Sequence, residues 1–224
     1  MRQRSTTFIL TAVFLFLICP ATRATEGENR LAELSAESRL SLLVQQIVTA
    51  LDEKNFDHAK RTIDEAMKIA PNDPTLRNAR AAALIQIEKY DEAKVILDAL
   101  LAENPEFFQA NYNAGEILFL QGDYAGARAH FERLRAKFGE LPLLRFKILL
   151  CDLLAGNDTA ATQAARAFRF PIDAPAWYFA HAALAANAGD TREARKLMDV
   201  ATEIHGKDGT ALFTETIETS FFNK

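Results

Sequence analysis

The sequence predicts an all-α protein in which helical hairpins stack into a solenoid, and three observations lead to this fold class. One segment recurs about every 34 residues along most of the chain. Each copy carries apolar residues at helical spacing, and a glycine followed by an acid or amide recurs between the two halves of a copy. Because a single hairpin cannot bury both of its faces, neighbouring hairpins must stack on one another.

The internal period is read most directly from three segments that align without a gap and begin at Asn55, Lys89 and Asp123. A small residue recurs in every copy: Ala59, Ala93, Ala127 and Ala161 are 34 residues apart, and Ala194 follows after 33. A period of this length is typical of repeat architectures. The alanine indicates where two helices approach closely, since a larger side chain would push them apart.

In the last three copies, a glycine followed by an acid or an amide marks the boundary between the two helices. Gly122, Gly156 and Gly189 are expected to end first helices, because a left-handed stop has no steric penalty at glycine. The residues that follow these glycines are predicted to accept hydrogen bonds as N-caps of the second helices: Asp123, Asn157 and Asp190. The copies are therefore helix-turn-helix units.

At these positions the chain resembles the tetratricopeptide repeat family, in which Ala, a bulky apolar residue four positions later and a closing Pro mark the second helix. Ala93, Leu97 and Pro105 fit this pattern. The resemblance implies a right-handed solenoid and covers residues 40–206 as five units: 40–73, 74–107, 108–141, 142–174 and 175–206. The fourth unit departs from the pattern, since Asp158 replaces an aromatic residue and Asp173 replaces the closing Pro.

Residues 1–24 predict a signal peptide. Arg2 and Arg4 precede an apolar run from Phe8 to Ile18, and small residues before Thr25 suit a signal peptidase. An uncleaved membrane anchor and a lipoprotein are the alternatives, although a spanning helix needs about 20 apolar residues. We therefore expect export by the secretory pathway to the periplasm or the extracellular space, with membrane contact only through an uncleaved signal.

Both ends of the solenoid are expected to be capped, because an exposed terminal hairpin would leave apolar surface in water. Residues 25–39 are predicted to form an N-terminal tail and an extension of the first helix. Residues 207–224 are predicted to form a capping helix. Its apolar side consists of Leu212, Phe213, Ile217, Phe221 and Phe222.

Charge and motif content argue against nucleic-acid binding and against catalysis. The net charge is −4, and loss of the signal would leave 23 basic and 30 acidic residues, a balance of −7. Nucleic-acid binding requires clustered Lys and Arg instead. The sequence has no HExxH, GxGxxG or GxSxG motif, and Cys151 has no evident His partner. We expect no cofactor, no metal and no enzymatic activity, and we expect Cys151 to be a buried, inert thiol.

A protein-binding groove is expected on the concave side, which first helices line in the tetratricopeptide family. The predicted contact residues are Tyr112, Glu116, Phe119, Phe146, Leu150 and Phe179. These positions carry no Lys or Arg, so a groove that clamps a peptide's terminal carboxylate is not expected. Two alternatives remain open: the C-terminal helix folds back and fills the groove, or the fourth unit is buried.

The resemblance implies a protein-interaction function. The favoured hypothesis is an exported, non-enzymatic scaffold or assembly adaptor that binds a segment of a protein or peptide partner in the apolar groove. The alternative is an export-side chaperone that shields apolar segments of several clients. An enzyme with an unrecognised site is the least favoured hypothesis, because no nucleophile and base occur together in a known pattern.

Overall fold

The computed structural model of the protein describes residues 36–222. The predicted signal peptide and residues 25–35 lie outside this range. Ten α-helices occupy the described part: α1 (Ala36–Asp52), α2 (Phe56–Ile69), α3 (Pro74–Gln86), α4 (Tyr90–Glu103), α5 (Phe108–Leu120), α6 (Tyr124–Phe138), α7 (Pro142–Leu154), α8 (Asp158–Arg166), α9 (Ala176–Asn187) and α10 (Thr191–Ile217). A π-helical turn, Glu218–Phe222, follows α10. No strand occurs between residues 36 and 222, so the predicted all-α class is confirmed.

The helices pack as consecutive pairs into a solenoid of five hairpins, from α1/α2 to α9/α10. The alanine predicted at each close approach is fully buried in all five copies. Gly115 on α5 is equally constrained, because an added Cβ would lie 2.7 Å from the ring of Phe131 on α6. Small side chains therefore set the distance between the helices of a hairpin.

Most of the predicted helix boundaries are found. Gly122, which follows α5, has a φ of 80°, as a left-handed stop requires. Asp123 then accepts a hydrogen bond from the Gly126 backbone N–H at 2.9 Å, and Asp190 caps α10 in the same way. The prediction for Asn157 is wrong, because its side chain makes no capping bond to α8. That helix begins with Asp158, whose charge already complements the helix dipole.

The fourth hairpin is the irregular one. Its second helix, α8, has nine residues, whereas α2, α4 and α6 have 14 to 15. Residues 167–175 follow without regular helix, and buried Asp173 organises them. Its carboxylate accepts hydrogen bonds from the Arg169 backbone N–H at 2.7 Å and from the Arg145 guanidinium at 3.1 Å. These bonds stabilise the ionised form and lower the pKa of Asp173.

The C-terminal end turns back on the solenoid. Helix α10 is interrupted at Gly206, where φ is 76° and ψ is 163°. We call residues 207–222 the C-terminal segment. Its inner side carries Phe213 and Ile217, which are 9% and 0% exposed, in the same core cluster as residues of α5, α7 and α9.

Candidate protein-binding face

The first helices of the hairpins, α1, α3, α5, α7 and α9, share one side of the solenoid, which we call the first-helix face. The six predicted contact residues belong to α5, α7 and α9. Phe146, Leu150 and Phe179 have no exposed surface, and Tyr112 and Phe119 are at most 9% exposed. Only Glu116 is partly accessible, with 18% of its side chain exposed. The structure therefore places all six residues together, but not on an open surface.

The C-terminal segment covers this part of the first-helix face. The ring of Phe213 lies 5.1 Å from the ring of Phe146 and 5.2 Å from that of Phe179, measured between centroids. Such aromatic pairs add a geometric preference to the burial of apolar area. The C-terminal segment thus packs one aromatic side chain against two aromatic residues of successive first helices.

A buried lysine joins the C-terminal segment to α5. Lys147 on α7 is 1% exposed, and its ammonium donates to Glu116 Oε2 at 2.8 Å and to Thr216 Oγ1 at 2.9 Å. The hydroxyl of Thr216 in turn donates to the Leu212 carbonyl oxygen at 2.6 Å. Lys147 Nζ also lies 4.9 Å from the ring centroid of Phe119, within the range of cation–π attraction. One ammonium group therefore connects helices α5, α7 and α10.

Glu116 is only half satisfied in this arrangement. Its Oε2 accepts the bond from Lys147, whereas its Oε1 is buried and accepts no hydrogen bond from the protein. A buried acceptor without a donor is unfavourable by about 1–3 kcal/mol. Burial beside Glu116 also raises the pKa of the Tyr112 phenol well above its usual value. This part of the first-helix face therefore has unused capacity to accept a hydrogen bond.

The open apolar groove expected at the six positions is not what the structure contains. The alternative in which the C-terminal helix folds back over the groove describes the observed arrangement. The expectation of a face without Lys or Arg was incomplete, because Lys147 reaches it from the position next to Phe146. The signal was present in the sequence, since Lys147 is the one charged residue in the otherwise apolar run between Arg145 and Asp152.

The first-helix face is less covered on α1 and α3. By the 34-residue spacing, Val48 on α1 corresponds to Glu116, and its side chain is 54% exposed. Asn78 on α3 is half buried and accepts a hydrogen bond from the Asn113 side chain of α5 at 3.0 Å. The C-terminal segment reaches toward this end through an ion pair of 3.6 Å between Glu215 and Lys54. The N-terminal part of the face is therefore accessible beside the covered part.

Comparison with known proteins identifies the repeated unit. A sequence model of the tetratricopeptide repeat family matches residues 78–142, which include α4, α5 and α6. Residues 78–142 therefore carry the sequence pattern of tetratricopeptide repeats. A crystal structure of a tetratricopeptide repeat protein from Parabacteroides merdae has the same fold, with a TM-score of 0.50 and 13% identity over 81% of this chain and 75% of that one.

Curated relatives align with slightly more than half of this chain. Protein O-mannosyl-transferase TMTC1 of Mus musculus is 26% identical over 135 residues, which are 58% of this chain and 14% of the relative. The tetratricopeptide repeat and J domain-containing co-chaperone DNJ1 of Cryptococcus neoformans is 30% identical over 115 residues, 51% of this chain and 22% of the relative. The chain thus spans a small fraction of the length of these relatives.

A second apolar surface follows the short helix of the fourth repeat. Phe170 and Ile172 are 57% and 68% exposed in the loop that Asp173 organises. The ring of Phe170 packs edge-on against Trp177 and Tyr178 at centroid distances of 5.4 and 5.7 Å. Trp177 and Tyr178 also contact each other, at 5.1 Å between ring centroids. The loop therefore presents two apolar side chains to water on a fixed support.

Burial shifts the pKa values of Cys151 and His130 among the described residues. Cys151 is fully buried, as expected, and burial raises the pKa of its thiol to about 12. Burial lowers the pKa of His130, whose Nε2 lies 2.8 Å from the Asn111 carbonyl oxygen. In the described range no cluster of His, Cys, Asp and Glu is arranged to hold a metal ion.

No helix in that range is long and apolar enough to span a bilayer.

Proposed function

We propose that this protein is an exported, non-enzymatic interaction scaffold in which a segment of a partner protein occupies the first-helix face in place of the C-terminal segment. Tetratricopeptide repeats indicate protein–protein interaction, and the proposal adds the place and the mode of binding. The observation that carries it is Phe213, whose ring packs against both Phe146 and Phe179, as an aromatic anchor of a bound partner helix would. Export rests on the pattern of residues 1–24.

The geometry favours a segment that can leave. Gly206 separates the C-terminal segment from the rest of α10, and no side chain lies within 4 Å of the position its Cβ would take. The accessible N-terminal part of the face, around Val48, offers a partner a first contact before the C-terminal segment is displaced. Displacing this segment costs free energy, so the observed affinity of a partner would be weaker than its affinity for an already open face.

The proposal is tested by affinity capture with three forms of the tagged chain. Phe213→Ala weakens the internal contact, and Leu212→Ala changes the exposed side of the same helix as a matched control. We expect one partner to be recovered in larger amounts with Phe213→Ala than with the wild type or with Leu212→Ala. Equal recovery from all three forms would move the interface to another surface, such as the loop of Phe170 and Ile172.

An export-side chaperone is the second candidate, and the exposed Phe170 and Ile172 favour it because apolar side chains held in water bind varied unfolded segments. One relative is a co-chaperone by its name, although the alignment covers 22% of that protein. A chaperone suppresses aggregation of several unrelated clients at sub-stoichiometric or equal concentration, whereas a scaffold binds one partner and protects none of the others. Light-scattering assays with three unrelated unfolding proteins separate these two functions.

A further inference from the structure

We infer that the C-terminal segment is an imperfect internal copy of the partner, and that the partner is an amphipathic helix with an aromatic residue followed three positions later by a side-chain amide. This inference rests on the proposed function and specifies the chemistry of the segment that binds. It follows from what the C-terminal segment satisfies on the first-helix face and from what it leaves unsatisfied.

The aromatic position is defined by Phe213. The rings of Phe146 and Phe179 are themselves 6.5 Å apart, and Phe213 approaches both more closely than they approach each other. Ile217, four residues later and one turn further along the helix, has no exposed surface. A helix with residues at this i, i+4 spacing presents both on one side, so a partner helix would need the same pair.

The polar position is defined by Thr216. Lys147 is buried and donates to Thr216 Oγ1, so any helix that replaces the segment must offer an acceptor there. A replacement without one would leave an ammonium proton buried and unpaired, and this loss weakens binding. Lys147 therefore disfavours a helix that has the apolar residues but no hydrogen-bond acceptor at this position.

The hydroxyl of Thr216 does not complete the site. Its single proton is donated to the Leu212 carbonyl oxygen, so it has none left for Glu116 Oε1, which remains without a donor. Thr216 Oγ1 and Glu116 Oε2 bind the same ammonium, which places the two side chains next to each other. An asparagine amide has an oxygen that can accept from Lys147 and an NH₂ that can donate to Glu116. A helix with an amide at this position would therefore bind the face better than the chain's own segment does.

The experiment uses the full chain with Phe213→Ala and fluorescent peptides whose sequence is that of residues 207–222. Three peptides are compared by anisotropy: the natural sequence, one with Thr216→Asn and one with Thr216→Val. We expect Thr216→Asn to bind about tenfold more tightly and Thr216→Val about tenfold more weakly than the natural peptide, because each change adds or removes one buried hydrogen bond to a charged group. Asn and Thr have similar helix propensity, so a difference in affinity between the Thr216→Asn peptide and the natural peptide would not come from a difference in helix content.

A second measurement covers the case in which Phe213→Ala fails to fold. Hydrogen exchange of the backbone amides of residues 207–222 is followed in the wild-type chain with excess Thr216→Asn peptide, and exchange should accelerate because the segment is displaced. Equal affinity of the three peptides, or unchanged exchange in the wild type, would overturn the inference. If Phe213→Ala still increased the amount of captured partner, the proposed function would stand and only the inferred chemistry of the partner helix would be wrong. If the three peptides differed in affinity as expected but no partner were captured, the result would contradict the proposed function and not the inferred binding chemistry.

Discussion

At the scale of single residues, the covered face depends on an ion pair that apolar packing would not predict. Lys147 and Glu116 are placed 2.8 Å apart within a cluster of aromatic rings. Such a pair gains from mutual attraction but loses the hydration of both charges, so its net effect on stability is small. Its effect on which helix fits the face is larger, because any occupant must accept a hydrogen bond from Lys147.

The first prediction tests the effect of this ion pair on stability with a single and a double variant. Lys147→Met leaves Glu116 without its partner and should reduce the free energy of unfolding by about 3 kcal/mol or more. Lys147→Met combined with Glu116→Leu removes both charges and should recover most of this loss. Urea denaturation followed by circular dichroism measures both variants. A double variant as unstable as the single one would mean that the pair itself stabilises the fold.

The second prediction concerns alkaline stability. Burial raises the pKa of Cys151 from 9.0 to about 12, so the unfolded chain loses the thiol proton at lower pH than the folded chain. The stability linked to this proton is fully present below pH 9 and is lost as the pH rises toward about 12. The free energy of unfolding should therefore fall by about 1.4 kcal/mol per pH unit within this window on account of Cys151.

Cys151→Ala should make this slope shallower, whatever its effect on the absolute stability at neutral pH. Tyr112→Phe is the necessary companion, because the pKa of Tyr112 is also raised and its contribution overlaps with that of Cys151. Denaturation curves at closely spaced pH values above 9 give the slopes. Identical slopes in the wild type and Cys151→Ala would contradict the prediction, because they would mean that the thiol has the same pKa in the folded and the unfolded chain.

At the scale of elements, the sequence correctly predicted the place of a residue where that position has a single physical role. The alanine series and Gly122 were predicted from spacing, and the structure places them as expected because only small side chains fit there. Asn157 was predicted from the same spacing and does precede α8, but its side chain makes no capping hydrogen bond, and α8 ends early at Arg166. Periodicity predicts a repeat well and describes a degenerate copy poorly.

The candidate face was predictable only in part, for the same reason. Register placed Tyr112, Phe146 and Phe179 on one face, and the structure does bring these three together. Whether that face was open depended on residues 207–222, which lie outside the period. Substitution of Tyr112 and Phe119 by alanine, a natural test of an open groove, would instead remove buried core and unfold the chain.

The third prediction concerns the connection between α10 and the C-terminal segment. Gly206 has backbone angles that only glycine adopts readily, so Gly206→Ala should destabilise the protein by about 1–3 kcal/mol. Gly209 is its matched control: it lies in the helix after the break, and its added Cβ would meet His205 at an ordinary 3.6 Å. Gly209→Ala should stabilise by up to about 1 kcal/mol. Thermal unfolding compares the two, and equal shifts would contradict a backbone requirement for glycine at position 206.

At the scale of the whole molecule, the C-terminal segment adds long-range contacts to a structure otherwise built from neighbours. Repeats in a solenoid contact mainly the adjacent repeat, and unfolding can then proceed from an end. Thr216 contacts Lys147 of the fourth repeat, and Glu215 pairs with Lys54 of the first. These contacts link the two ends of the stack and should make its unfolding more cooperative.

The fourth prediction concerns the form of the protein that reaches its destination. If residues 1–24 are a signal peptide, the exported protein should begin near Thr25 and should be found outside the cytosol. Cell fractionation with N-terminal sequencing tests this directly. An intact chain in the cytosol would contradict export, and an intact chain in the membrane fraction would support the uncleaved anchor.

The fifth prediction concerns removal of residues 209–224, which takes away Phe213, Thr216 and Ile217 together. The truncated chain should remain helical, because the five hairpins keep their mutual contacts, but Phe146 and Phe179 should become exposed and bind an apolar fluorescent dye. Its urea transition should also broaden, since the contacts between distant repeats are lost. The full chain with Leu212→Ala is the control, because it changes the same segment without uncovering the face, and it should bind no dye. A helical truncated chain that binds no dye would mean that the repeats close over the aromatic residues by themselves, and the C-terminal segment would then be a cap with no groove beneath it.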